Sequence, residues 1–167
     1  MQEKLGVDVG GVITDALNND ETDTAFSTDN YLDTTAVKGA FDALRLLVDL
    51  RFGRNVFIVS KAGPATERKT REWFAHHHFY ERTGIMEANV RFCRELSEKA
   101  SICQELGITH FIDDRLAVVL QLMEVVDHSY LFNSSDDNAD YVRSRFPTKI
   151  IPVANWDEVL QELIPGQ

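Results

Sequence analysis

Six short apolar runs separated by longer amphipathic stretches constrain this chain more than any other property of its sequence. The runs fall at residues 4–9, 55–59, 89–93, 109–112, 129–132 and 149–153. Several are continuous rather than alternating, the pattern of strands covered on both faces. Between them Val37, Phe41, Leu44, Leu47 and Val48 recur at helical spacing, as do Trp73 with Phe74, and Leu116, Val119, Leu120 and Met123. Strand and helix in alternation predict a Rossmann-like three-layer α/β sandwich on a mostly parallel sheet, its crossovers right-handed. No repeat or linker divides the chain, and 167 residues with 44% hydrophobic content suit one domain over 1–167.

Local punctuation supports the helix assignments. Gly107 closes the segment ending ELG as a helix-ending residue should, Asn155 with Glu158 resembles a capping box, and Gly63 before Pro64 reads as a turn into a helix. Residues 134–140, SSDDNAD, read as a polar loop without calcium-loop spacing. His76, His77 and His78 fall on different faces of a helix end, cannot readily share one ion, and read as solvated.

The balance of 27 acids against 17 bases gives a net charge of −10, which repels nucleic acid and anionic membrane. Cys93 and Cys103 lie inside regular segments without metal-ligand spacing and read as buried, reduced thiols. With no basic leader or long apolar run at MQEKLGVDVG, a soluble cytoplasmic protein is expected.

Chemistry concentrates at the carboxyl ends of the runs. LGVDVGGV puts Asp8 there, NVFIVS puts Ser60 there, and FIDDRL contributes Asp113 and Asp114. In an open α/β sheet these ends share one edge, where ligands bind. A helix beginning at Pro64 would turn its free N–H groups toward that edge and favour an anion, with the Ser60 hydroxyl as a further donor. Lys99, four residues after Glu95, admits a plainer reading as a solvated ion pair on a helix, and Asp113/Asp114 before Arg115 admit one as a helix cap.

In this order, Asp8, Ser60, Lys99 and Asp113/Asp114 resemble the motifs of the haloacid dehalogenase-like superfamily of hydrolases across nearly the whole chain. The resemblance makes Asp8 the nucleophile that forms an aspartyl-phosphate, with Lys99 as the catalytic cation beside it. It gives Ser60, Lys61 and Gly11 to phosphate binding. It gives Mg²⁺ to Asp8, the backbone carbonyl of Gly10, Asp113 and Asp114. The implied partner is a phosphorylated small molecule or macromolecule, and a homo-oligomer is compatible with it.

The first motif departs from the family pattern DxDGx(T/V): Gly10 stands where the second aspartate, the general acid and base, is expected. A carbonyl survives any side-chain change, so metal binding is expected to persist while acid chemistry suffers. The expected activity is Mg²⁺-dependent phosphoester hydrolysis, impaired at Gly10; the alternative is an inactive relative that binds a ligand or protein. Asp15 is the nearest replacement acid in sequence and is not expected to act as one. The interval between Asp8 and Ser60 leaves no room for a large cap, only a flap at about 16–35. That flap carries Asp20, Glu21, Asp23, Asp29 and Asp33 with Phe26 and Tyr31. It reads as a solvated loop, or as a lid favouring a substrate with a cationic part.

Overall fold

The computed structural model describes residues 2–15 and 30–166. Residues 20, 21, 23, 26 and 29 of the expected flap lie outside the described residues. All six apolar runs become strands: β1 (Leu5–Val7), β2 (Val56–Lys61), β3 (Val90–Cys93), β4 (His110–Asp113), β5 (His128–Phe132) and β6 (Ile150–Val153). They form one sheet of order β3-β2-β1-β4-β5-β6 in which every pair is parallel.

Seven α-helices are described: α1 (Ala40–Leu47), α2 (Pro64–His76), α3 (Phe79–Thr83), α4 (Leu96–Leu106), α5 (Leu116–Leu122), α6 (Asp136–Arg145) and α7 (Trp156–Leu163). Side chains alternate across each strand and so serve two cores. Ile58, Ile112, Tyr130 and Phe132 pack with Phe41 and Leu44 of α1, Trp73 and Phe74 of α2, Phe79 of α3 and Trp156 of α7. Their neighbours Val59 and Phe111 turn the other way, toward Cys103 of α4 and Val118 and Leu122 of α5. Leu131 meets Val142 of α6 on that second side. The result is a Rossmann-like α/β sandwich. None of the described helices is long and apolar enough to cross a membrane.

Chain direction reverses at β1. The path runs outward through β2 to β3, and α4 then carries it back across to β4 on the other side of β1. This is the switch point of a doubly wound sheet, and Asp8 is the first residue beyond β1, its N–H donating to the Ile112 carbonyl at 3.0 Å. Gly6 makes the crossing possible: a Cβ there would sit 2.5 Å from Cδ2 of Phe111, whose ring covers β1 from the second face.

Several expectations are corrected. Residues 134–140 open α6 rather than forming a loop: Ser135 caps it by accepting from the Asn138 N–H at 3.2 Å. Asp136 and Asp137 occupy its first turn, and Arg143 and Arg145 its last. Its polarity hid it, because only Ala139 and Val142 are buried. The helix read from the spacing of Val37 to Val48 begins later, at Ala40, and passes into a π turn at Val48–Phe52. Of the three histidines, His77 is not simply solvated: its ring meets the Leu32 carbonyl at 2.8 Å and packs 4.3 Å from Trp73. At α7, Asn155 accepts from the Glu158 N–H as expected, but the Glu158 carboxylate reaches back to Ala154 instead of completing the box at Asn155.

Far from the site edge, His110 opens β4, buried between Phe52, His128 and Tyr130. Burial, reinforced by the Arg51 guanidinium, pushes its pKa down to about 4. The folded state therefore holds His110 neutral while the unfolded chain protonates it below about 6.5, so this contribution is present above that pH and is lost as pH falls toward 4. In urea denaturation, the change in stability between pH 7 and pH 4.5 will be less favourable in the wild type than in His110→Phe by on the order of 2 kcal/mol.

Candidate active site

Three separate segments bring charge to the switch point. Asp8 leaves β1, Asp113 ends β4 and Asp114 follows it. Lys99 stands in the first turn of α4, which starts at the same edge of the sheet before crossing to β4. The Lys99 ammonium donates to Asp8 Oδ1 at 3.0 Å and to Asp113 Oδ2 at 2.8 Å. Both readings of Lys99 and the acid pair as ordinary helix furniture are thereby set aside: Lys99 is 2% exposed and Asp113 fully buried. Glu95 is the residue before α4, where its N–H donates to Glu98 at 3.0 Å. The stem of Lys99 carries its ammonium over the Phe111 ring, 5.7 Å from the centroid, so the ion pair rests on the ring that Gly6 admits.

The electrostatics do not balance within the protein. Burial alone would strip the charge from Lys99, but Asp8 and Asp113 outweigh it and hold the ammonium protonated above its usual range. Burial and then the Asp8 charge push the Asp113 carboxyl upward, with Lys99 opposing. Asp114 moves the same way through burial and the charges of Asp8 and Asp113. One oxygen from each of Asp8, Asp113 and Asp114 lies within 4.8 Å of the others, and this is the cluster of potential metal ligands found among the described residues. Fully ionised, the three carboxylates facing one ammonium would carry two negative charges in excess, which a divalent cation with oxygen ligands would cancel. The donor set is all oxygen, which suits a hard cation.

Gly11 explains how Asp114 comes so close. Its φ is +80°, and a Cβ there would stand 2.2 Å from Asp114 Oδ2. Glycine is thus required twice, by conformation and by contact. Asp113 Oδ1 also accepts from the Arg115 N–H at 3.0 Å, which fixes the turn that aims the acid pair.

Gly10 differs from Gly11 in both respects. Its φ is not left-handed, and none of the described residues comes within 4 Å of where a Cβ would be. Asp15, the nearest acid in sequence and not expected to replace the missing one, is engaged elsewhere, accepting from the Thr35 hydroxyl while its own N–H donates to the Thr35 carbonyl. Ser60 and Lys61 end β2, the strand beside β1, with Ser60 buried and Lys61 exposed. α2 begins as expected, with Gly63 preceding Pro64 at its first position. Tyr31, read as a contact on the flap, instead donates its hydroxyl to Glu72 on α2, beside the Trp73 indole that donates to the Thr34 carbonyl at 3.0 Å. Sequence reasoning did not find Phe111 or Gly6 beneath the site, because a buried Phe and a strand Gly carry no signal of their own. Cys93 and Cys103 are free, buried thiols, and burial raises both above the ordinary cysteine range.

Removing Lys99 as Lys99→Met leaves the acidic cluster without its cation, and in metal-free buffer this will cost about 3–5 kcal/mol in urea unfolding. Mg²⁺ will recover more of that loss than it adds to the wild type. Gly11→Ala, by forcing Asp114 aside, will weaken Mg²⁺ binding measured by calorimetry while changing the far-ultraviolet dichroism little.

No protein-family model and no curated protein matches the sequence. Solved structures do match. D,D-heptose 1,7-bisphosphate phosphatase from B. bronchiseptica, crystallised with magnesium and phosphate, aligns over 98% of this chain and 99% of its own, with a TM-score of 0.63 at 12% identity. The D,D-heptose 1,7-bisphosphate phosphatase from Burkholderia thailandensis aligns over the same shares, with a TM-score of 0.63 at 11% identity. The chain shares the fold of these two phosphatases.

Proposed function

We propose that the chain is a Mg²⁺-dependent phosphoryl-transfer hydrolase in which Asp8 is the nucleophile. The observation that carries this reading is the Lys99 ammonium held between Asp8 and Asp113, with Asp8, Asp113 and Asp114 converging at the sheet's switch point. A carboxylate is a weak nucleophile toward a phosphate anion because like charges repel. Lys99 lessens that repulsion and holds Asp8 Oδ1 in a fixed direction.

Mg²⁺ would be held by Asp8, Asp113, Asp114 and the Gly10 carbonyl, and it supplies the positive charge that a phosphoryl group needs during transfer. The Ser60 hydroxyl, Lys61 and the backbone at Gly11 would bind the phosphate oxygens. Phosphate class is supported by the fold neighbours, which are sugar bisphosphate phosphatases; a phosphorylated small molecule is accordingly the expected substrate.

Gly10 favours a second reading, a ligand-binding relative without turnover, since it offers no side chain to protonate an alcohol or to activate water. A panel of phosphorylated metabolites and an aryl phosphate, assayed with and without Mg²⁺, separates the two. Turnover that needs Mg²⁺ and disappears in Asp8→Asn supports the hydrolase. Mg²⁺ binding with no turnover of any substrate, in the wild type and in Gly10→Asp alike, supports the binding module.

A further inference from the structure

We propose that Arg94 is a positioning residue for the phosphate-binding turn at residues 60–63, holding the peptide between Ala62 and Gly63 so that it offers an N–H, and not a carbonyl oxygen, on the side of β2 where Asp8 lies. This rests on the reading of the site as one that binds phosphate, and it adds a residue outside the motifs that carried that reading.

The turn is held by bonds from both of its neighbours. The Ala62 N–H donates to the Cys93 carbonyl at 2.9 Å, one residue beyond the pairing of β2 with β3. The Ala62 carbonyl accepts from Arg94 Nη1 at 2.7 Å. The same Nη1 donates to Glu67 Oε1 at 2.8 Å, and the Glu67 N–H donates to the Gly63 carbonyl at 2.9 Å in the first turn of α2. Arg71 Nε holds Glu67 Oε2 at 3.2 Å. Both backbone polar groups of Ala62 are therefore drawn to the end of β3, which lies on the far side of β2 from β1. In a trans peptide the N–H opposes the C=O, so the Gly63 N–H faces the other way, to the β1 side.

The covalent chain does not impose that orientation. Reversing the peptide changes ψ of Ala62 and φ of Gly63 together, and Gly63, now at φ −71°, accepts a positive φ at little cost because it has no Cβ. Reversed, the peptide would turn a carbonyl dipole toward an incoming anion. The Ala62 carbonyl takes its hydrogen bond from a side chain instead of a strand or helix, so one substitution removes it. Phosphate then binds only the fraction of molecules with the N–H turned inward, and the apparent affinity falls by that fraction.

The test titrates the full chain with inorganic phosphate in saturating Mg²⁺ by calorimetry, and measures the effect of Arg94→Ala in the wild type and in a Gly63→Ala background. Alanine keeps the present φ of residue 63 and resists a positive one, and no described residue comes within 4 Å of its Cβ. Arg94 is exposed, so its replacement spares the core. In the wild type Arg94→Ala will weaken phosphate binding about 10-fold, the scale of a hydrogen bond to a charged group. In Gly63→Ala the same replacement will cost less than about 3-fold. Arg94→Lys, which keeps a donor for the Ala62 carbonyl, will recover part of the loss. Removing a positive charge weakens anion binding by the same factor in either background, whereas Gly63→Ala makes only the lock redundant. Equal losses in the two backgrounds, or no loss in Arg94→Ala, overturn the proposal and leave the phosphate site standing. A wild type that takes up Mg²⁺ but no phosphate overturns the phosphate reading itself, and the role of Arg94 with it.

Discussion

The paired contact of one buried ammonium with two carboxylates from different strands is the constraint on which the rest of the structure turns. Buried ion pairs add little net stability, because desolvation offsets attraction. What this one does is specify. Lys99 reaches Asp8 and Asp113 only if α4 starts at the carboxyl edge and if β1 and β4 are neighbours. It also rests over the Phe111 ring, which only a glycine at position 6 leaves room for. A slip of β4 by one residue would turn Asp113 to the opposite face and bring an apolar side chain against the charge. Topology, register and the site are thus versions of one requirement.

The sheet was readable because strands buried on both faces need apolar runs, and six runs, several of them continuous, can be counted directly. Helix α6 was not, because it buries only Ala139 and Val142 and its remaining surface is polar. Its cap and its charge gradient, acids first and arginines last, were present in the sequence but resemble a loop when periodicity is the guide. The π turn at the end of α1 left no trace in spacing for a similar reason: Leu44 and Leu47 already satisfy the helical pattern before it begins. His77 was misread because its partner, the Leu32 carbonyl, comes from a distant segment.

The site was more legible than the surface. Asp8, Asp113 and Asp114 could be placed together from strand ends alone, since a parallel sheet sends all such ends to one edge. The double role of Lys99 could not, because spacing within a helix reports only which face a residue occupies. Nor could the contrast between adjacent glycines. Gly11 is demanded by φ and by the Asp114 carboxylate, whereas Gly10 is demanded by neither. Fold likeness to sugar bisphosphate phosphatases at 12% identity carries architecture across a wide sequence distance and says nothing about this one position.

The indifference of the backbone at Gly10 has an evolutionary meaning. Glycine codons ending in a pyrimidine become aspartate codons by a single nucleotide change, and among the described residues the new Cβ meets no atom within 4 Å. A site with a carboxylate at this position and a site without one are then neighbours in mutational space on one scaffold. Selection can cross between them in either direction without passing through an unfolded intermediate, and what keeps the chain on one side is the task it performs and not the stability of its fold.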